Sequence, residues 1–419
     1  KMDNQNSHIS WLVKKLQVFG DVILLDSQKK DHPASERSYL AAMPKKVLYG
    51  IGRYNYLRDG SRTVQIERNP WQAIKEFQES ENDWLFGYLG YDLKNYSESL
   101  SSENLAYTSL PSYYFMVPEL LIEFDHSGGF KIIKGEIPHL DPSINLENDG
   151  FLLQFSNKKS LTENEYIEKV ELAHELIHEG EIYEINYSYL KTFDFEGSGW
   201  SLYQAMKEIG PVPFGAFLRI NDIEVCCASP ERFFKREGNR VFSQPIKGTI
   251  SNLGDSDISH LKNEKNLAEN LMIVDLVRND LNRVAKPGSV NVLNLFEVQS
   301  FKTVHQLVST VEGTVDSNIN SMEIIEACFP MGSMTGAPKI AAMEAIEELE
   351  DYKRGIYSGA IGYIKPDGDF DFNVVIRTSI IEDNKLMYPV GGAITSDSTP
   401  EDEWQETLIK TDALKKALK

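Results

Sequence analysis

Apolar residues change period several times along this chain, and the changes mark out its elements. In the first 150 residues the pattern is strand-like. Residues 22–25, 46–49, 84–88, 119–124 and 130–133 are short apolar or alternating runs set between turn-forming residues. Residues 138–150 are polar, turn-rich and without periodicity. They predict a boundary between an N-terminal sheet region, 1–150, and a second region, 151–419. A helix follows, with Thr162 and Glu165 spaced as a capping box, Tyr166, Val170, Ala173 and Ile177 on one stripe, and Gly180 as its stop. Residues 183–247 read as strand-rich, and 259–283 as helix. Ile340, Met343, Ile346 and Leu349 stripe another helix, which Pro338 would open at its first position. Strands return at 359–364, 372–381 and 385–388. The chain closes on a helix capped by Ser398 or Thr399, with Pro400 at its start. There is no internal repeat and no simple βαβ alternation, so layers of α and β are expected.

Composition narrows the function classes. With 419 residues, 41% of them hydrophobic, the chain can bury a large core. Its 43 basic and 63 acidic residues give a net charge of −20, which argues against nucleic acid or an anionic membrane as partner. Three cysteines, two of them the adjacent Cys226 and Cys227, make no disulfide framework and read as buried thiols in a reducing compartment. No apolar run approaches the ~20 residues of a membrane span. The polar N-terminus has no signal-peptide core, so a cytoplasmic location is expected. Lys1 before Met2 is set aside as foreign to the natural sequence.

Candidate chemistry gathers in the second half. Lys247 lies between an apolar run and Gly248, with Glu231 close upstream. An amine with the ordinary pKa of ~10.4 is less than ~0.1% neutral at pH 7, and burial would lower that value. Lys247 is therefore either a nucleophile or a strand-end lysine paired with a glutamate. On the last helix Glu403, Glu406 and Lys410 share one face. That face is either a solvated ion-pair stripe or part of a site. Glu269 opens an apolar segment of a helix expected to be buried. Carboxylates forced together repel unless a cation neutralises them, and Mg²⁺ suits carboxylate oxygens.

The motifs appear in a definite order: 180–186 (GEIYEIN), 229–233 (SPERF), 245–249 (PIKGT), 268–280 (AENLMIVDLVRND), 332–339 (GSMTGAPK), 357–363 (YSGAIGY), 376–378 (IRT) and 403–407 (EWQET). This ordered set resembles the chorismate-utilising enzymes, strongly over residues 160–419 and more loosely over the first 150. The resemblance implies an α+β fold like that of anthranilate synthase component I, two large antiparallel sheets packed together with helices outside. It also implies that Glu269, Glu403 and Glu406 hold Mg²⁺ against a substrate carboxylate. The chorismate pocket would be lined by Gly248, Thr249, Ser333, Tyr357, Arg377, Gly391, Gly392 and Lys410. Chorismate is a dianion, so Arg377 could fork onto a carboxylate, and the loop at 332–337 would offer backbone amides. Structural alternatives stand beside these roles: Tyr357 as a sheet-edge aromatic, Gly391 as a turn, Arg377 as a surface strand residue.

Within the family, a lysine at position 247 resembles the aminodeoxychorismate synthases, whereas anthranilate synthases usually carry alanine. The implied reaction is amination of chorismate at C4 to 4-amino-4-deoxychorismate, a precursor of p-aminobenzoate and folate. Lys247 would attack ring C2 while Glu231 protonates the departing C4 hydroxyl. An ionised Glu231 would instead raise the lysine pKa, so the productive pair is neutral and a plain salt bridge is idle. Gln306 stands where anthranilate synthases have histidine, and His305, one place earlier, would face the opposite side of a strand. No glutaminase signature is present, and the resemblance implies a separate glutamine amidotransferase subunit that supplies ammonia. The segments at 25–27 (LDS) and 211–214 (PVPF) resemble the family's tryptophan-binding segments. Ser27, Pro213 and Phe214 would then line either a tryptophan-type pocket or an ordinary packed core. Departures from the family pattern are Ala393 after Gly391-Gly392, and Tyr187 and Tyr189. The rival readings are anthranilate synthase, isochorismate synthase and a non-catalytic chorismate or tryptophan sensor.

Overall fold

Alternation along the strands sends neighbouring side chains to opposite faces, and three cores result. In the strand Val22–Asp26, Val22 and Leu24 enter one core while Ile23 enters another. In Tyr113–Phe124, Tyr113 and Phe115 face a third core while Tyr114 and Met116 turn to the second. That second core contains residues of strands and loops alone, so it is where sheet packs on sheet. The other two combine strand residues with helices on the outer faces. The computed structural model describes residues 4–29, 34, 37–127, 129–139, 151–155, 160–251, 258–300 and 304–417.

Among the described residues 21 strands form one connected network, and every pairing is antiparallel. This is the α+β architecture expected. Residues 140–150 of the expected boundary lie outside the described ones. Ladders run between strands on either side of it: Val22–Asp26 pairs with Phe214–Ile220, and Leu85–Leu89 with Ala360–Ile364.

The helix Glu163–Glu179 carries its capping box between Thr162 and Glu165, and Gly180 ends it in the left-handed region. Other elements differ from the sequence reading. Three helices, Asn4–Leu16, Pro70–Glu81 and Gly199–Ile209, lie in stretches read as strands and loops. Each has a local reason. Ile9, Leu12, Val13 and Leu16 make a helical stripe, Asn69 caps the second helix ahead of Pro70, and Ser198 caps the third. Trp200 and Tyr203, residues common in strands, pack into the core from that third helix. Pro338 is the cap of the helix Lys339–Leu349 and not its first residue, and Ile340 is exposed. The expected strand at 372–381 is two strands, Phe370–Asn373 and Thr378–Glu382, and Arg377 sits in the break between them.

Candidate active site

One cavity of about 660 Å³ collects most of the candidate residues. Its walls include Glu231, Lys247, Glu269, Ser333, Tyr357, Arg377, Gly391, Gly392, Glu403, Glu406 and Lys410. These come from far apart in the chain, and each is delivered by a nameable piece of backbone.

Lys247 is the second residue of the strand Ile246–Ser251, which pairs antiparallel with Val304–Thr314. Lys247 lies opposite Leu307 and Thr249 opposite Gln306, so Gly248 is the extra residue of a β-bulge. The Thr249 side chain lies outside the described residues. Gln306 lines the cavity, while His305 pairs with Ile250 and contacts Ser300 Oγ at 2.7 Å. The two neighbours do face opposite ways.

Glu231 connects the strands Ile223–Ser229 and Arg232–Glu237. Its amide donates to Ser229 Oγ at 3.2 Å, and its carbonyl accepts from the Val374 amide at 3.0 Å. Ser333, in the turn Gly332–Met334, donates its hydroxyl to Glu231 Oε1 at 3.2 Å. Burial pushes the Glu231 carboxyl up to about 7, against the opposing influence of Lys247, the Ser333 hydrogen bond and Arg377. It can therefore hold a proton near neutrality.

For Lys247 the two opposed influences expected from the sequence, burial and nearby carboxylates, resolve in favour of the charge. Burial does work against its charge, but Glu269, Glu184, Glu231 and Glu406 together hold the amine above its ordinary value. Lys247 Nζ lies 3.5 Å from Glu269 Oε2, and its side chain keeps 22% exposure toward the cavity. This is the lysine–glutamate pairing that the sequence left open beside the nucleophile reading, with Glu269 as the partner.

Glu269 projects from the helix Glu264–Asn282, and Glu403, Glu406 and Lys410 from Pro400–Lys416. The shared helical face lines the cavity, with Glu403 buried while Glu406 and Lys410 stay partly exposed as an i,i+4 ion pair. Lys410 Nζ bridges Glu406 Oε1 and the Gly391 carbonyl, both at 2.7 Å. The two glycines serve different ends. A Cβ on Gly391 would lie 2.3 Å from the Tyr187 carbonyl oxygen of the neighbouring strand. One on Gly392 would stand 3.5 Å from Glu403 Oε2, 3.5 Å from Lys410 Nζ and 3.6 Å from Glu406 Oε1. Three carboxylates in one cavity are hard oxygen donors of the kind Mg²⁺ takes. Among the described residues no three acidic, His or Cys side chains converge on one point, since Glu269 is drawn to Lys247 and Glu406 to Lys410.

Arg377 has φ 51°, in the left-handed region, and its carbonyl accepts from the Ala228 amide at 3.1 Å. That kink lines the cavity with Arg377 in place of a regular strand position. Tyr357 is buried, which pushes its hydroxyl well above the ordinary range. Two residues of the strand Glu184–Gly197 carried no assigned role in the sequence. Asn186 lines the cavity and donates to the Ser333 carbonyl at 3.1 Å. Glu184, on the same strand face, is buried, and burial raises it to about 7, with Lys247 opposing and Glu269 adding. The period-two spacing of Glu184, Asn186 and Ser188 was the available signal.

A second cavity, of about 390 Å³, is lined by Leu25, Asp26, Ser27, Pro213 and Phe214 among others. An open space therefore stands where the sequence left a choice between pocket and packed core. Pro213 lines both cavities. The Asp26 carboxylate is engaged by Lys207 Nζ at 2.8 Å and the Tyr203 hydroxyl at 3.1 Å.

Comparison with known proteins gives the family and the fold. A family model described as chorismate binding enzyme matches residues 20–416. Aminodeoxychorismate synthase component 1 of Escherichia coli is 30% identical over 98% of this chain and 94% of its own. A probable chloroplastic aminodeoxychorismate synthase of Oryza sativa is 33% identical over 91% of this chain, which spans 49% of that longer protein. Among solved structures, anthranilate synthase component I from Streptococcus pneumoniae superposes with a TM-score of 0.78 at 27% identity, covering 91% of this chain and 92% of that one.

Proposed function

The chain belongs to the chorismate binding enzyme family, and on that footing we propose that it aminates chorismate at C4 with ammonia. The observation that carries this reading is that the Lys247 amine and the Glu231 carboxyl line one cavity, with Glu231 able to hold a proton near pH 7. Lys247, once neutral, attacks ring C2; both conjugated ring double bonds shift, to C1=C6 and C4=C5, and the C4 hydroxyl leaves as water with the proton from Glu231. Ammonia then adds at C4 and expels the lysine amine, giving 4-amino-4-deoxychorismate. Arg377 and Lys410 supply positive charge for the two substrate carboxylates. Mg²⁺, held by Glu269, Glu403 and Glu406, would neutralise a substrate carboxylate that those glutamates otherwise repel.

Ammonia would come from a separate glutamine amidotransferase subunit, in keeping with the name "component 1" carried by bacterial relatives. A cytoplasmic location accords with the three free, buried cysteines. Among the described residues no helix is long and apolar enough to cross a membrane. The second cavity would hold a tryptophan-like amino acid.

The test is product identification with chorismate, Mg²⁺ and ammonium chloride. An aminodeoxy product that a lyase converts to p-aminobenzoate supports the reading. Anthranilate with pyruvate would instead favour the activity named for the Streptococcus pneumoniae structure.

A further inference from the structure

Glu231 and Lys247 must meet across the cavity, yet the ladder that joins their segments stops at Lys235 and Phe242, short of both residues. The strand Arg232–Glu237 pairs with Arg240–Ser243 and Phe370–Asn373, and both Arg240–Ser243 and Ile246–Ser251 pair with Val304–Thr314. The register of the first strand also shifts between Arg232 and Phe234, directly after Glu231. Beyond the end of that ladder, a side-chain tie can fix the distance between the two groups.

Arg232 follows Glu231 and points to the opposite side of the strand, away from the cavity. Its side chain is 4% exposed. Nε and Nη2 fork onto the two carboxylate oxygens of Asp371 at 2.9 and 3.0 Å. Nη1 donates to Gln244 Oε1 at 2.9 Å, three residues before Lys247. The guanidinium lies over the rings of Phe214, at 4.9 Å, and Phe242, at 5.5 Å. A planar, pre-organised cation thus ties the Glu231 backbone to the segment that enters the Lys247 strand.

We infer that Arg232, through Gln244, is a positioning residue that sets the spacing of the Glu231 carboxyl and the Lys247 amine. The inference rests on the reading of those two groups as acid and nucleophile. A displacement of about 1 Å at a reacting pair can lower a rate about a hundredfold, so the tie has kinetic consequences.

Gln244 is the place to test it, because removing Arg232 would leave the Asp371 charge without its fork. Gln244 does not line the active cavity, so a change there leaves substrate contacts alone. On the full chain with ammonium as nitrogen source, Gln244→Met should lower kcat about tenfold or more, with KM for chorismate within about twofold. Its melting temperature should stay within about 3 °C of the parent. Gln244→Glu keeps an acceptor for Nη1 and should return kcat to within about twofold of the parent. Parental kcat in Gln244→Met overturns the inference. So does a loss that tracks a fall in melting temperature or that Gln244→Glu leaves unrescued, since the tie is then structural only. Lys247→Ala, run alongside, separates the two levels. If it is inactive while Gln244→Met is unaffected, only the positioning role falls. If it is fully active, the acid–nucleophile reading falls and the positioning role with it.

Discussion

Lys247 Nζ lies 3.5 Å from Glu269 Oε2, and that ion pair joins the nucleophile of the proposed reaction to one of its metal-binding carboxylates. With Glu184, Glu231 and Glu406 also facing it, the amine is held charged, above its ordinary value. Attack on the substrate requires that one of these carboxylates take its proton. Glu231 is suited to it, since burial already brings it to about 7.

The active form of the Glu231–Lys247 pair carries one proton between its two groups. Below about 7 both are protonated and Lys247 cannot attack. Activity should therefore rise with pH through about 7, and fall only above the ordinary lysine value, where the raised Lys247 finally loses its proton. A pH profile of kcat/KM measures both limbs. Glu231→Gln should lower kcat by ~10²–10⁴ and remove the acid limb, whereas Glu184→Gln should keep that limb.

Glu184 should reveal itself in stability. Its folded-state value of about 7 lies above the ordinary 4.5, so the native state binds the extra proton between those values. The stabilisation relative to a permanently ionised group is present below 4.5 and lost as pH rises through about 7. Glu184→Gln removes this dependence. It should raise stability relative to the parent progressively from pH 4.5 to 7, by on the order of 1–3 kcal/mol above pH 7, seen as a higher melting temperature. Thermal melts across that range measure the difference.

Gly391 and Gly392 should respond differently to the same change. Gly391→Ala sets a Cβ 2.3 Å from the Tyr187 carbonyl oxygen, so the strand pair must open, at a cost of about 1–3 kcal/mol. Gly392→Ala meets Glu403, Glu406 and Lys410 at ordinary contact distance. It should fold normally and raise KM for chorismate or the Mg²⁺ requirement. Melting curves and steady-state kinetics on both variants separate the effects.

Glu403→Gln removes one negative donor from the wall beside Gly392. Half-maximal activity should then need at least about tenfold more Mg²⁺, while saturating metal restores part of the rate. Titration of activity with Mg²⁺ reads this, and an unchanged requirement would remove Glu403 from the metal set.

Much of the site was legible because its chemistry is written in short contiguous motifs. Lys247 with Gly248, the Glu403–Glu406 spacing and the turn at Ser333 need few neighbours to be recognised. The capping box at Thr162 was legible for the same reason. What was hidden depends on long-range packing. The Arg377 kink interrupts a run that reads as one strand, and nothing local announces φ 51°. The helix Gly199–Ile209 carries good helix formers from Leu202 to Glu208, but Trp200 and Tyr203, residues common in strands, mask it until they dock against the sheet. The raised Lys247 was legible in part, through Glu231, but Glu269, Glu184 and Glu406 reach it from three other segments. Burial and Glu231, the parts the sequence suggested, oppose each other and do not decide the direction.

The most direct measurement is mass spectrometry of the products formed from chorismate, Mg²⁺ and ammonium chloride at alkaline pH, by the parent chain and by Lys247→Ala. An aminodeoxychorismate product from the parent, lost in Lys247→Ala, is the expected result and identifies the amine as the nucleophile. Anthranilate with pyruvate, formed equally by both proteins, would contradict it and make Lys247 a strand-end lysine paired with Glu269.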